Sequence, residues 1–267
     1  MTIALDAAGD GEPLVLLHGV GTSREVWRHV LPGLAMTRRT IAVDLPGFGD
    51  SSPVGDRFDL DAVADAVADA AAARLDGPFD LLGHSLGGAV AVALARRRPE
   101  SVRGLLLQAP AGLAPRPRAV AMAAGITAEG FLATRRAIGG RLAGSAVARR
   151  VLLWGAVHDG GRLSSEDARL MLEASRSASR VRAAVESAVA CDLRPMLAGV
   201  RAPLALLRGD RDRVVSAAAM RTLTTARPDA LVATIHDCGH VPQLERPPAF
   251  LAAVERLLER LRAVTDS

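Results

Sequence analysis

Six short runs of consecutive apolar residues recur along the chain: Leu14–His18, Thr40–Leu45, Phe79–Leu82, Val102–Leu107, Pro203–Leu207 and Ala230–Ile235. A strand with one wet face alternates apolar and polar residues. A run without alternation suits a strand covered on both faces. Helical patterns lie between these runs. Ser23–Leu34 puts Val26, Trp27, Val30 and Leu31 on one side, with Ser23 as N-cap. Leu60–Leu75 repeats Val63, Val67, Ala70 and Ala71 at helical spacing, and Leu86–Arg97 is rich in Ala and Gly. Strands alternating with helices predict an α/β fold: a mostly parallel sheet with right-handed crossovers, flanked by helices. Ile3–Leu5 adds an antiparallel edge strand before the turn at Gly9-Asp10-Gly11.

The alternation stops near Gly112 and resumes near Pro203. Between them come helical pieces only: Ala119–Ala124, Glu129–Ile138, Ala143–Ala156, Ser165–Ser175 and Val181–Val189. The expected organisation is a core in two parts, 1–111 and 199–267, interrupted by a helical insertion over 112–198. The insertion holds 13 Arg against 7 acidic residues, read as solvated helix faces, with a preference for acidic substrates as the alternative. Arg96-Arg97-Arg98 ends a helix before Pro99, where cations complement the helix dipole.

A chain of 267 residues, 49% apolar and 23% charged, buries a full core and is neither disordered nor fibrous. No apolar stretch is long enough to span a bilayer. No basic and apolar leader opens the chain, and two Cys build no disulfide framework, so a cytoplasmic protein is expected. All 33 basic residues are Arg, the net charge is +4, and aromatics make up 3%. Dispersed Arg with few stacking rings argues against a nucleic-acid partner.

Gly83-His84-Ser85-Leu86-Gly87 stands between a predicted strand and a predicted helix. In that setting G-x-S-x-G encodes a sharp turn with Ser at its apex. Gly is required two residues to either side because a side chain there would meet adjacent backbone. The turn exposes Ser85 and aims the helix N-terminus, with the Leu86 amide, at a developing oxyanion. A nucleophilic Ser needs a base, and the base needs a carboxylate. His240 lies in the loop Cys238-Gly239-His240-Val241-Pro242 after the last strand, on the elbow's side of the sheet. Asp210 and Asp212 follow the strand Pro203–Leu207, whereas the turn after Val102–Leu107 carries no acid. His84 shapes the elbow, His236 is structural, and His29 and His158 are surface or packing residues. His236, Cys238 and His240 match no trusted metal spacing, so no metal is expected.

Together these motifs resemble the α/β-hydrolase family, in its form with a helical cap. The likeness covers nearly the whole chain outside the insertion. His18-Gly19-Val20-Gly21 is similar to the family's oxyanion turn, which implies that the Val20 amide joins that of Leu86. Asp44-Leu45-Pro46-Gly47-Phe48-Gly49-Asp50-Ser51 resembles the next loop, and Gly209-x-x-Asp212 the acid turn, which favours Asp212 over Asp210. Gly239-His240-x-Pro242-x-x-Glu245-x-Pro247 resembles the histidine loop. The resemblance implies a Ser85–Asp212–His240 triad acting on small to medium carboxylic esters or lactones without a cofactor. Lining residues would include His18, Gly19, His84, Val241 and Trp154 of the cap. Dehalogenases and epoxide hydrolases, which use an Asp nucleophile, are disfavoured by Ser85. Carbon–carbon bond hydrolases typically carry other residues at His84 and Val241. Perhydrolases, acyltransferases and ligand receptors share the scaffold. A monomer or homodimer with a small-molecule partner and no membrane partner is expected.

Overall fold

The computed structural model describes residues 1–113, 115–173 and 179–265. Seven strands form one sheet in the order β1-β3-β2-β4-β5-β6-β7. They are β1 Leu5–Ala8, β2 Glu12–Leu17, β3 Arg38–Val43, β4 Phe79–His84, β5 Val102–Gln108, β6 Leu204–Gly209 and β7 Leu231–Ile235. Only β1 runs antiparallel, paired with β3 from Leu5 opposite Val43 to Ala8 opposite Thr40. The edge strand foreseen at Ile3–Leu5 therefore exists, shifted toward the turn.

Both faces of the sheet are covered, which is why its strands do not alternate. In β2, Val15 and Leu17 join one apolar cluster, while Leu14 and Leu16 join the other. All four are fully buried, a contribution of about 1.5–3 kcal/mol each. Helices α2 (Leu60–Ala72) and α3 (Leu86–Arg97) cover the first face. The long C-terminal helix Pro247–Thr265 covers the second, with Phe250, Val254, Leu257 and Leu258 in its cluster. Arg96, Arg97 and Arg98 reach across to Asp61, Asp65 and Asp69 of α2, so they tie two helices together.

The helix expected over Ser23–Leu34 is broken. A 3-10 turn spans Arg24–Trp27, and α1 is only Leu31–Leu34. Ser23 makes no side-chain cap; instead the Arg24 N–H donates to Asp44 Oδ1 at 2.7 Å. Pro32, lacking an N–H, cannot continue a helix from residue 28.

Between β5 and β6 lie α4 (Arg118–Leu142), α5 (Ala146–Leu152), α6 (Ser165–Glu173), α7 (Val181–Ala190) and α8 (Leu193–Leu197). The two pieces expected over 119–138 are one helix, α4. Its Gly125 marks close packing and not a break: a Cβ there would sit 2.8 Å from the Arg182 carbonyl oxygen of α7. The last residues of the piece foreseen over Ser165–Ser175 lie outside the described residues. After β6 come α9 (Ala217–Ala226), α10 (Pro242–Glu245) and α11, the C-terminal helix.

β2 pairs with β3 on one side and β4 on the other, so the chain reverses its direction of progress across the sheet there. The carboxyl ends of β2 and β4 border the crevice where α/β sheets place their ligands.

The opposite end of β4 carries a buried ion cluster. Asp80, 1% exposed, accepts from Arg38 and Arg103, each at 3.1 Å. Replacing Asp80 by Ala strands a buried guanidinium, Arg38. We expect equilibrium urea unfolding to show a loss of about 3–5 kcal/mol. The folded fraction should keep its activity, because Asp80 lies about 13 Å along the strand from His84, the residue before Ser85. A loss below about 1 kcal/mol would show the cluster to be unimportant.

Candidate active site

β4 ends at His84 and α3 begins at Leu86, which leaves Ser85 alone to make the turn. Its backbone sits at φ 53°, ψ −114°, a region that costs a non-glycine residue about 1–3 kcal/mol. The turn is tight enough to forbid side chains beside it. A Cβ on Gly83 would lie 2.4 Å from the Gly87 carbonyl oxygen, and one on Gly87 would lie 2.4 Å from that of Leu17. The Ser85 N–H donates to the Gln108 carbonyl at 3.0 Å, and the Ser85 carbonyl accepts from Gly88 and Ala111. These bonds fix the strained residue from both sides.

His240 faces the same spot from the loop after β7. Its Nδ1–H donates to Asp212 Oδ2 at 2.8 Å, which leaves Nε2 as the acceptor nitrogen. Asp212 Oδ1 accepts from the N–H groups of Val214 (2.8 Å) and Val215 (2.9 Å). Burial alone would raise the Asp212 carboxyl. The hydrogen bond and charge of His240, with those two amides, outweigh it and hold the group below its ordinary range. Asp210 takes a different part: it accepts from the Cys238 N–H at 3.2 Å and pairs with the exposed His236 at 3.4 Å. His236 and the Cys238 N–H thus share Asp210, whereas His240 pairs with Asp212. No cluster of three or more metal-ligating side chains occurs among the described residues. No hydrogen bond joins Ser85 Oγ to His240 there either.

A layer of buried polar groups seats the histidine loop on the elbow. His84 Nε2–H donates to the His240 carbonyl at 3.0 Å, and the two rings pack with centroids 4.8 Å apart. Gln108 donates to Gln243 at 2.8 Å, and Gln243 reaches His84 Nδ1 at 3.4 Å. Glu245 accepts from the N–H groups of Gly239, Val241 and His158 at 3.0, 3.2 and 2.7 Å. Burial nevertheless keeps its carboxyl above the ordinary value. Neither Gln was singled out in the sequence; a buried Gln inside apolar surroundings was the available signal. His18 holds the neighbouring turn. Its Nδ1–H donates to the Gly19 carbonyl at 2.8 Å, and its Nε2 accepts from the Leu45 N–H at 3.0 Å. His29 pairs with Asp167 and His158 with Asp237.

Ser85 sits where two cavities meet. One, of about 230 Å³, is lined by Val20, His84, Leu132, Arg135, Met171 and His240 among others. Gly19 and Val241 also line it, whereas His18 is fully buried behind the turn. The other, of about 320 Å³, is lined by Pro110, Leu113, Arg116, Val189 and Val214 among others. Trp154 lines neither; it is 71% exposed and lies beside the Arg213 guanidinium, 5.7 Å from its ring centre. Neither the Val20 nor the Leu86 N–H is hydrogen-bonded within the described residues, and both belong to turns bordering Ser85.

A family model described as alpha/beta hydrolase fold matches residues 12–247. A pimeloyl-[acyl-carrier protein] methyl ester esterase from Aeromonas hydrophila is 31% identical over 97% of this chain and 100% of its own length. The protein of that name from Neisseria meningitidis serogroup A is 50% identical over 94 residues, covering 35% of this chain and 28% of that protein. A solved hydrolase from Pseudomonas aeruginosa PA01 superposes with a TM-score of 0.74 at 26% identity, covering 96% of this chain and 93% of that one. No helix among the described residues is long and apolar enough to cross a membrane.

Burial, reinforced by the His240 charge, pushes the His84 imidazole well below its ordinary 6.5. Burial lowers His18 in the same way, against the pull of its Gly19 hydrogen bond and Asp44. Below pH 6.5 the unfolded chain therefore binds protons that the folded chain does not, and stability falls as pH drops. The slope should reach about 1.4 kcal/mol per pH unit for His84. Denaturant titrations at several pH values should show His84→Gln with a slope shallower by about one proton. Equal slopes in the two proteins would mean that His84 is not held neutral.

Proposed function

The chain belongs to the α/β-hydrolase family, and we propose that it is a carboxylic ester hydrolase using Ser85, His240 and Asp212 as its catalytic triad. The observation that carries this reading is the strained Ser85 facing the same cavity as a His240 imidazole oriented by Asp212 at 2.8 Å. The full-length likeness to methyl ester esterases supports the choice of reaction.

Ser85 Oγ attacks the ester carbonyl while His240 Nε2 takes its proton. Asp212 keeps the imidazole in the tautomer that makes Nε2 basic, then stabilises the imidazolium. The carbonyl oxygen, now negative, accepts from the Val20 and Leu86 N–H groups, each worth about 3–4 kcal/mol where such donors have been removed. His240 returns the proton to the departing alcohol, which leaves an acyl group on Ser85. Water, deprotonated by His240, then attacks that acyl group, and Ser85 recovers its proton as the acid leaves.

The segment 112–198 serves as the cap over this site, with α4 and α6 supplying part of the wall. The carrier-protein methyl ester esterases among its relatives make methyl esters of linear acids the first substrates to try.

Hydrolysis of p-nitrophenyl esters from two to twelve carbons, with wild type beside Ser85→Ala, tests the mechanism. Wild type should turn over, and the variant should lose about four to six orders of magnitude in kcat. Asp212→Asn should lose about 10⁴-fold through the wrong tautomer. Equal rates in wild type and Ser85→Ala would assign the chemistry to another residue.

A further inference from the structure

The inward stripe of α4 runs Ala121, Gly125, Ala128, Leu132, Arg135 and Gly139. Five of these are small or apolar, as packing against α6 and α7 requires. Arg135 breaks the pattern with a guanidinium that is only 7% exposed. Its Nε and Nη2 have no hydrogen-bond partner, and its near neighbour is the face of Phe131 on its own helix, 5.3 Å away. Burial, with nothing opposing it, pushes the group down to about 10, which leaves it charged at neutral pH. A buried, unpaired cation is costly to folding. Pairs of buried charges usually compensate one another, and this one lacks its other half.

The missing half belongs to the cavity. Arg135 lines the same space as Ser85 and His240, and no Asp or Glu among the described residues lines it. A guanidinium fork with two free N–H directions matches a carboxylate better than any neutral group. Much of the remaining wall is apolar, including Leu132, Met171 and Val214, so the chain joining ester to acid is hydrocarbon. We propose that Arg135 binds a carboxylate carried by the substrate, so that the enzyme acts on esters whose far end is a free acid, such as monoesters of dicarboxylic acids. The proposal rests on the ester-hydrolase reading and specifies its substrate class. The cap's other Arg need not share this role: Arg150 and Arg162 pair with Asp159, and Arg182 with Glu186.

The test compares kcat/KM for monomethyl esters of dicarboxylic acids, graded in length, with the corresponding dimethyl esters. Wild type, Arg135→Gln and Arg135→Lys are assayed in parallel, and thermal unfolding checks that each is folded. Wild type should favour the acid-bearing ester by about 10- to 100-fold at its best length, the range expected of hydrogen bonds to a charged group. Arg135→Gln should abolish that preference, and Arg135→Lys should reduce it several-fold, because an ammonium keeps the charge and loses the fork. Should the Gln variant not fold, the wild-type preference and the Lys variant still decide between the outcomes. No preference in wild type, or an undiminished one in the folded variants, overturns the proposal. Failure to cleave any ester, p-nitrophenyl esters included, overturns the ester-hydrolase reading instead.

Discussion

A parallel strand must become a helix within one residue at Ser85, and most of the architecture around the site follows from that turn. The positive φ is tolerated because neighbouring strands grip the residue, β5 through Gln108 and the following loop through Ala111. Gly83 and Gly87 are small because backbone passes within contact of where their side chains would be. The same turn brings α3 close under the end of β2, which sets the His18–Gly21 turn beside Ser85. Among the described residues two other non-glycine residues hold positive φ: Ala109 just past β5 and Asp237 ahead of the histidine loop. Both stand at carboxyl ends of strands, so the backbone strain gathers on one edge of the sheet, beside the chemistry.

The elbow and the histidine loop could be read in the sequence because their backbone demands leave marks that few other structures need, glycines at fixed offsets above all. The strands were legible for a similar reason: burial on both faces suppresses alternation. The choice between Asp210 and Asp212 was not legible from spacing. The two leave β6 two residues apart, and only the folded loop shows one turned to Cys238 and the other to His240. The broken helix after Ser23 failed for a related reason. Its apolar periodicity was real, but the carboxylate of Asp44, distant in sequence, captured the Arg24 amide that would have been capped locally. In α4, the two pieces expected over 119–138 are joined through Gly125, which is a point of contact with α7.

The least legible part is the polar layer beneath the histidine loop. Gln108, His84 and Gln243 come from three separate segments and are each 2% exposed or less. His84 stands in the elbow motif, but neither Gln carries a pattern, because a buried polar residue is distinguished only by its partners. Their joint effect is geometric. They fix the carbonyl of His240 while Glu245 fixes the amides on either side of it, so the imidazole is held through its own backbone as well as by Asp212. Such doubly anchored placement orients the imidazole in advance, the preorganisation that the proposed role of His240 as base requires.

Because Ser85 lies at the junction of two cavities, the halves of a cleaved ester need not leave by the same route. The alcohol can drain from one chamber while the acyl group still occupies the other.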